Sequence, residues 1–158
     1  MKRINFLIIF LLASISVIAK DNIEVYIGSA NRFASINLPD YRNQLCRRYN
    51  VRSYHLEDCF RKCGHNWGNV GLVLEMAHIT GQRVDDVCEY YAKYRHKGWH
   101  YILHKMGVHQ GTHDYNKFYS HLCNYSKSWD DWYESHHKCY KYHKQHCRKS
   151  KRYHHHDY

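Results

Sequence analysis

Apolar residues recur every three or four positions along most of this chain, which is the spacing of one face of an α-helix. The first such series begins at Pro39, a residue favoured in the first turn of a helix. Glycine follows several of the series, as expected where helices end. The pattern predicts helices over residues 39–49, 54–63, 67–80, 84–96, 99–106 and 115–122.

The segment 67–80 differs from the others because it is apolar on nearly every face. Val70, Leu74 and Ala77 lie on one side, and further aliphatic residues fill the rest of the circumference. Helices of this kind are normally enclosed by the rest of a domain. The sequence therefore predicts a central, buried helix that ends at Gly81.

Two further segments complete the predicted secondary structure. Residues 22–27 alternate polar and apolar positions at first, which suggests a short strand. Ser128 can cap a last long helix that extends into the C-terminal region. The predicted fold class is all-α: a small bundle of short helices, stapled by disulfides, with a long basic C-terminal helix.

Part of this pattern resembles a group of uncharacterised exported bacterial proteins. Their shared motif is a buried helix that ends in glycine, a second helix, and then Gly-Trp leading to Ile and a closing Gly-Val. The resemblance covers roughly residues 40–110 and implies a helical fold and export, but no particular activity. The matched residues are Leu74, Ala77, Gly81, Val87, Gly98, Trp99, Ile102, Gly107 and Val108.

The N-terminus has the features of a removable secretory signal. Lys2 and Arg3 precede an uncharged, mostly apolar run from residue 4 to 18, and Ala19 provides a small residue at the cleavage position. The run is shorter than the roughly 20 residues that a membrane-spanning helix needs. We therefore expect an exported protein, periplasmic or extracellular, in which residues 1–19 are the signal peptide. Residues 20–125 would then form a helical domain, and residues 126–158 a basic C-terminal helix and tail.

Seven cysteines in an exported chain indicate disulfides. Cys59 and Cys63 share a helix face with apolar residues, so bridges from that face to other helices are expected. A metal site at this pair is the alternative, and the spacing does not match the Cys-x-x-Cys-His pattern of haem attachment. Cys88 is likewise on an apolar face. We expect at least two bridges, and the odd count leaves at least one thiol that could join a partner chain.

The positive charge is concentrated near the C-terminus. The chain has a formal net charge of +10, and loss of Lys2 and Arg3 with the signal leaves +8. Most of that surplus lies after residue 135, which allows an alternative function as an adaptor for an anionic envelope polymer. The cations of this region are Lys138, Lys141, Lys144, Arg148, Lys149, Lys151 and Arg152.

The sixteen histidines are the main anomaly of the composition. His100 and His104 are one turn apart on a predicted helix, so both imidazoles could reach one ion. A second set continues an aromatic stripe along the C-terminal helix: His136, Cys139, His143, His146 and Cys147. Imidazole and thiolate ligands suit Zn²⁺ or copper. The leading functional hypothesis is soft-metal binding or buffering, and the competing interpretation is a purely structural or surface role.

The chain lacks the sequence motifs of common enzymes, including Gly-x-Ser-x-Gly, His-Glu-x-x-His and a Gly-rich phosphate loop. Asp85 and Asp86 fall in the first turn of a helix, where the helix dipole favours acids. Residues 81–108 resemble a helix-turn-helix, but the exposed face around His100 and His104 lacks the Arg, Asn and Gln residues that most often read bases. We expect neither enzymatic activity nor specific DNA binding.

Overall fold

The computed structural model describes the backbone of residues 22–153 and the side chains of residues 22–139. Within that part of the chain the fold is all-α, as predicted, and contains no strand. None of its helices is both long enough and apolar enough to cross a membrane. The helices are α1 (22–36), α2 (Leu38–Tyr49), α3 (Ser53–Lys62), α4 (Trp67–Thr80), α5 (Val84–Tyr94), a 3₁₀ turn (Arg95–Lys97), α6 (Trp99–Lys105) and α7 (His113–Tyr153).

The predicted strand at residues 22–27 is wrong, because this segment belongs to α1. The helix buries Ile23, Tyr26, Ala30 and Phe33, which follow one another at intervals of three and four residues. This helical period can be recognised in the sequence only when residues up to Phe33 are included. Six residues alone are too few to distinguish a helix from a strand.

The prediction of a central helix at residues 67–80 is confirmed. α4 contacts α2, α3, α5 and α7, and every residue from Gly68 to Ala77 except Asn69 is buried. Asn66 caps its first turn by accepting a hydrogen bond from the Asn69 backbone N–H. At the other end Gly81 has a φ of 68°, the left-handed conformation expected of a terminating glycine.

Helix α1 lies against the first half of α4, where two glycines allow the backbones to approach closely. A Cβ atom added to Gly68 would lie 2.7 Å from the Cα of Ile27, and one added to Gly71 would collide with the hydroxyl of Tyr26. Asn31 of α1 strengthens this contact by accepting a hydrogen bond from the Gly68 N–H at 2.9 Å. Gly68 and Gly71 therefore set the distance between α1 and the central helix.

Replacing Gly68 with Ala is expected to destabilise the fold by about 1–3 kcal/mol, because the new methyl group meets backbone atoms of Ile27. Gly28 provides the matched control, since a Cβ there has nothing within 4 Å. Gly28→Ala should stabilise α1 by roughly 0.5–1 kcal/mol through helix propensity alone. Urea unfolding followed by circular dichroism measures both effects. Equal effects of the two substitutions would contradict the packing of α1 on α4.

The prediction that a separate last helix starts at Ser128 is wrong, because α7 is continuous from His113 to Tyr153. Thr112 caps its start by accepting a hydrogen bond from the Tyr115 N–H, whereas the Ser128 hydroxyl donates to the Asn124 carbonyl within the helix. The predicted boundary at 125/126 thus falls within α7. Beyond it, Trp129 is fully buried and stacks on Phe33 of α1.

Helix α7 therefore belongs to the core over its first half, and the helix continues past residue 139. Its 41 residues correspond to about 60 Å of helix at 1.5 Å per residue. The predicted signal peptide at residues 1–19 and the histidines at 154–156 lie outside the described residues.

One disulfide joins Cys59 of α3 to Cys88 of α5, which confirms the expectation of a bridge from this face. The expected second bridge is absent among the cysteines whose side chains the structure describes. Cys46 and Cys63 are unpaired within the helical body, and Cys123 and Cys139 are unpaired and exposed on α7. Cys46 lies in α2, Cys63 at the end of α3, and the other two lie sixteen residues apart on α7, a separation that sequence spacing does not reveal.

Candidate functional site

Both predicted histidines of α6 are exposed. His100 and His104 lie one turn apart, and a turn at Gly107 (φ 85°) brings His109 to within 5.6 Å of His104, measured between ring centroids. Two imidazoles bound to one tetrahedral ion have centroids about 5 Å apart, given Zn–N bonds of about 2.0–2.1 Å. Small side-chain rotations would thus allow His104 and His109 to share an ion. Their pairing depends on the turn and was not predicted from the sequence.

His136 is the best-defined histidine of the predicted C-terminal site. Its Nδ1 lies 2.8 Å from the carbonyl oxygen of Trp132, one turn earlier in α7, and can donate a hydrogen bond to it. Its Nε2 lies 3.4 Å from Oδ2 of Asp40 in the first turn of α2. The ring also packs edge-on against Phe33, with centroids 5.5 Å apart. The contact with Asp40 joins α7 to the start of α2.

The other members of the predicted C-terminal set are less defined. Cys139 is exposed and follows His136 by nearly one turn. For His143, His146 and Cys147 the structure describes a helical backbone, and their side chains lie outside the described residues. Among residues 22–139, neither the α6 histidines nor His136 belongs to a group of three metal-ligating atoms lying within 4.8 Å of one another.

Three cysteines do form such a group, in the core rather than on the surface. The sulfurs of Cys59, Cys63 and Cys88 all lie within 4.8 Å of one another, and the Sγ atoms of Cys59 and Cys63 are 3.8 Å apart. Burial raises the pKa of the Cys63 thiol to about 12, while the nearby Arg95 guanidinium acts in the opposite direction. The i, i+4 spacing of Cys59 and Cys63 indicated a shared face, but the approach of Cys88 is a tertiary contact.

A second buried feature was missed entirely: Glu75, fully buried in the middle of α4. Its Oε2 accepts a hydrogen bond from the Tyr49 hydroxyl at 2.7 Å, and its Oε1 lies 2.6 Å from Nδ1 of His121. Each carboxylate oxygen therefore has a partner, as a buried acid requires. Burial is the main cause that raises the pKa of Tyr49 well above its usual value, and Glu75 adds to it, so Tyr49 remains protonated as the donor. The signal in the sequence was a lone acid within an otherwise uncharged helix.

A cation, Arg48, acts on the same tyrosine as this carboxylate: burial raises the pKa of Tyr125 most, the carboxylate raises it further, and Arg48 lowers it. The Arg48 guanidinium sits over the Tyr125 ring at 3.7 Å from its centroid and lies 5.0 Å from the centroid of Trp129. Arg48 acts to lower the pKa of Tyr26, whereas burial raises it more strongly. His121 is 28% exposed, so the carboxylate fixes an imidazole that still reaches solvent. The arrangement holds α2, α4 and α7 together through polar contacts inside the core.

No protein-family model, curated protein or solved structure matches this chain significantly.

Proposed function

We propose that this is an exported, non-enzymatic protein that binds or buffers soft divalent metal ions, Zn²⁺ or Cu²⁺, at its exposed histidines. The C-terminal helix supplies the principal ligands and α6 a second pair. The geometry of His136 is the observation that carries the proposal. It combines an oriented imidazole with a carboxylate from the body of the fold.

The hydrogen bond from Nδ1 of His136 to the Trp132 carbonyl supports metal binding through Nε2. Histidine ligands usually donate their other ring N–H to a carbonyl or carboxylate, which fixes the tautomer and the ring orientation. With Nδ1 as the donor at 2.8 Å, the neutral ring presents its Nε2 lone pair toward Asp40.

The separation of His136 and Asp40 also fits a shared ion. Two ligand atoms, each about 2.1 Å from a tetrahedral Zn²⁺, lie about 3.4 Å apart. Nε2 of His136 and Oδ2 of Asp40 are separated by that distance. Zn²⁺ accepts carboxylate as well as imidazole ligands. Cys139 follows at i+3 on α7 and is exposed, so a rotation of its side chain could bring a thiolate toward the same ion.

The same contact has another interpretation, an ion pair between protonated His136 and Asp40. The two differ in their response to pH. An ion pair requires the imidazolium and strengthens as the pH falls, whereas a metal site requires neutral imidazole and weakens below about pH 6.

We expect His136→Ala to lower Zn²⁺ affinity at pH 7.5 by at least about tenfold, since it removes an oriented ligand. His137→Ala is the matched control, because that adjacent ring stacks on Tyr133 and makes no such contact. Calorimetric Zn²⁺ titrations of both variants and the parent chain, at pH 7.5 and 5.5, test the proposal. Equal affinity in the two variants would exclude the His136 site, and no Zn²⁺ binding by the parent would end the metal hypothesis.

The alternative function, binding of an anionic envelope polymer, rests on the basic surplus after residue 135. Lys138 is exposed on α7, and the remaining cations of this region lie beyond the described side chains. Such binding would weaken with salt, strengthen on acidification and not need His136. Binding of an anionic polymer by the parent and by His136→Ala, measured at low and high salt, therefore separates this function from the first.

A further inference from the structure

The buried sulfur cluster of Cys59, Cys63 and Cys88 offers a chemistry different from that of the surface histidines. The structure holds it in the oxidised form, with Cys59 bonded to Cys88 and Cys63 as a free thiol beside them. All three are almost completely buried, at 1–2% exposure. We propose that, once this bridge is reduced, the three sulfurs form a thiolate site for one Cu⁺ ion, so that the redox state of the bridge controls copper binding.

The distances fit a shared ion without rearrangement of the helices. Two sulfurs at metal–sulfur distances of about 2.3 Å lie about 3.8–4.0 Å apart in tetrahedral or trigonal geometry. Cys59 and Cys63 are already 3.8 Å apart, one turn from each other on α3. After reduction the Cys88 sulfur need only move away from Cys59, within a cluster whose members lie within 4.8 Å of one another.

The ligand set favours Cu⁺ over other ions. Thiolates select soft ions, chiefly Cu⁺ and Zn²⁺. Structural Zn²⁺ sites are almost always completed by four ligands. In the described part of the chain the cluster comprises three cysteines and no histidine or carboxylate within the same radius. Three thiolate ligands in a buried site therefore suit Cu⁺ better than Zn²⁺.

The residues around the cluster also supply a positive charge and a route by which an ion can reach it. Arg95 lies close enough to act on the Cys63 sulfur, and its Nη1 would be 2.8 Å from a Cβ on Gly64. Cys63 directly precedes the exposed turn of Gly64 and His65, which have φ values of 69° and 59°. We expect an ion to reach the Cys63 sulfur by local opening of this turn.

The chemistry is balanced with a dithiol as the reductant. The dithiol gives two electrons and two protons to the Cys59–Cys88 bond and closes to its own disulfide, which leaves three protein thiols. One Cu⁺ then forms three Cu–S bonds and releases three protons, which leaves the site with a charge of −2. Arg95 partly offsets that charge. An external disulfide then accepts two electrons from Cys59 and Cys88 and two protons from solvent to become a dithiol. The Cys59–Cys88 bond reforms, Cys63 regains its proton, and the ion is released.

The test is an anaerobic Cu⁺ titration of the whole chain against a colorimetric Cu⁺ chelator, before and after reduction by a dithiol that is then removed. We expect reduction to add one tightly held Cu⁺ per chain and Cys63→Ala to weaken that step by at least about tenfold, because only two of the three sulfurs remain. Cys123→Ala, which removes an exposed thiol outside the cluster, is the matched control and should retain it. Cu⁺ should also raise the melting temperature of the reduced parent more than that of reduced Cys63→Ala.

Arg95→Gln leaves the sulfurs intact and keeps the proposal testable should reduced Cys63→Ala unfold. We expect about a tenfold weaker Cu⁺ affinity from the loss of this neighbouring charge. Identical copper binding in reduced parent and reduced Cys63→Ala, or in oxidised and reduced parent, would overturn the proposal. Tighter binding of Zn²⁺ than of Cu⁺ at the Cys63-dependent step would overturn the choice of ion. The site shares no residue with the histidine surface, so its outcome is independent of the proposed function.

Discussion

Replacing Glu75 with Ala is expected to destabilise the protein by about 3–5 kcal/mol, because it breaks a buried polar network in the central helix. The substitution removes the acceptor of the Tyr49 hydroxyl and the partner of His121, and it leaves a cavity beside them. Glu75→Gln retains the volume and one acceptor oxygen, so its cost should be smaller, about 1–2 kcal/mol. Chemical denaturation followed by tryptophan fluorescence measures these differences.

A double-mutant cycle identifies the source of the effect. Once Glu75 is gone, the Tyr49 hydroxyl is a donor without its acceptor, so adding Tyr49→Phe should cost little or restore stability. The double variant is then less destabilised than the sum of the single variants by about 1–3 kcal/mol. His78→Ala is the control, since His78 is exposed on the same helix and touches the Tyr49 ring. A loss below about 1 kcal/mol for Glu75→Ala, or strict additivity, would show that the network contributes little to stability.

The helices of the bundle could be predicted where a long apolar period and a clear terminator coincide. α4 was predicted with its observed bounds because apolar residues recur on most faces along its fourteen positions and Gly81 ends it. α1 was missed because only its first residues were considered, although the period continues to Phe33. The break proposed at Ser128 rested on a residue type alone. Inside a helix the same hydroxyl bonds to a carbonyl one turn back.

The sequence predicts site residues that lie on the same face of one helix, but not residues that come together from different helices. The exposed pair His100 and His104 follows from i, i+4 spacing, whereas the approach of His109 depends on the turn at Gly107. Asp40, which meets His136, is almost one hundred residues away in sequence. Such contacts are created by the packing of α2 against α7. No local pattern encodes them.

Loss of the Cys59–Cys88 bridge should have the second large effect on stability. The bridge joins α3 to α5 across a separation of 29 residues that includes the whole central helix. A bridge that closes a loop of this length lowers the conformational entropy of the unfolded chain and so raises the free energy of unfolding by about 3–4 kcal/mol. For a chain of this size the corresponding drop in melting temperature is roughly 10 °C.

The paired variant Cys59→Ala with Cys88→Ala isolates this contribution, because it leaves neither half of the bridge as a new buried thiol. Cys63→Ala alone is the matched control: it removes a buried sulfur from the same cluster but retains the bridge, and should cost only about 1 kcal/mol. Differential scanning calorimetry under non-reducing conditions compares the variants with the parent. Adding a dithiol should lower the melting temperature of the parent and of Cys63→Ala while leaving the paired variant unchanged. The paired variant could instead melt within a degree or two of Cys63→Ala. That result would mean that the disulfide contributes little and that packing alone holds α4 in place.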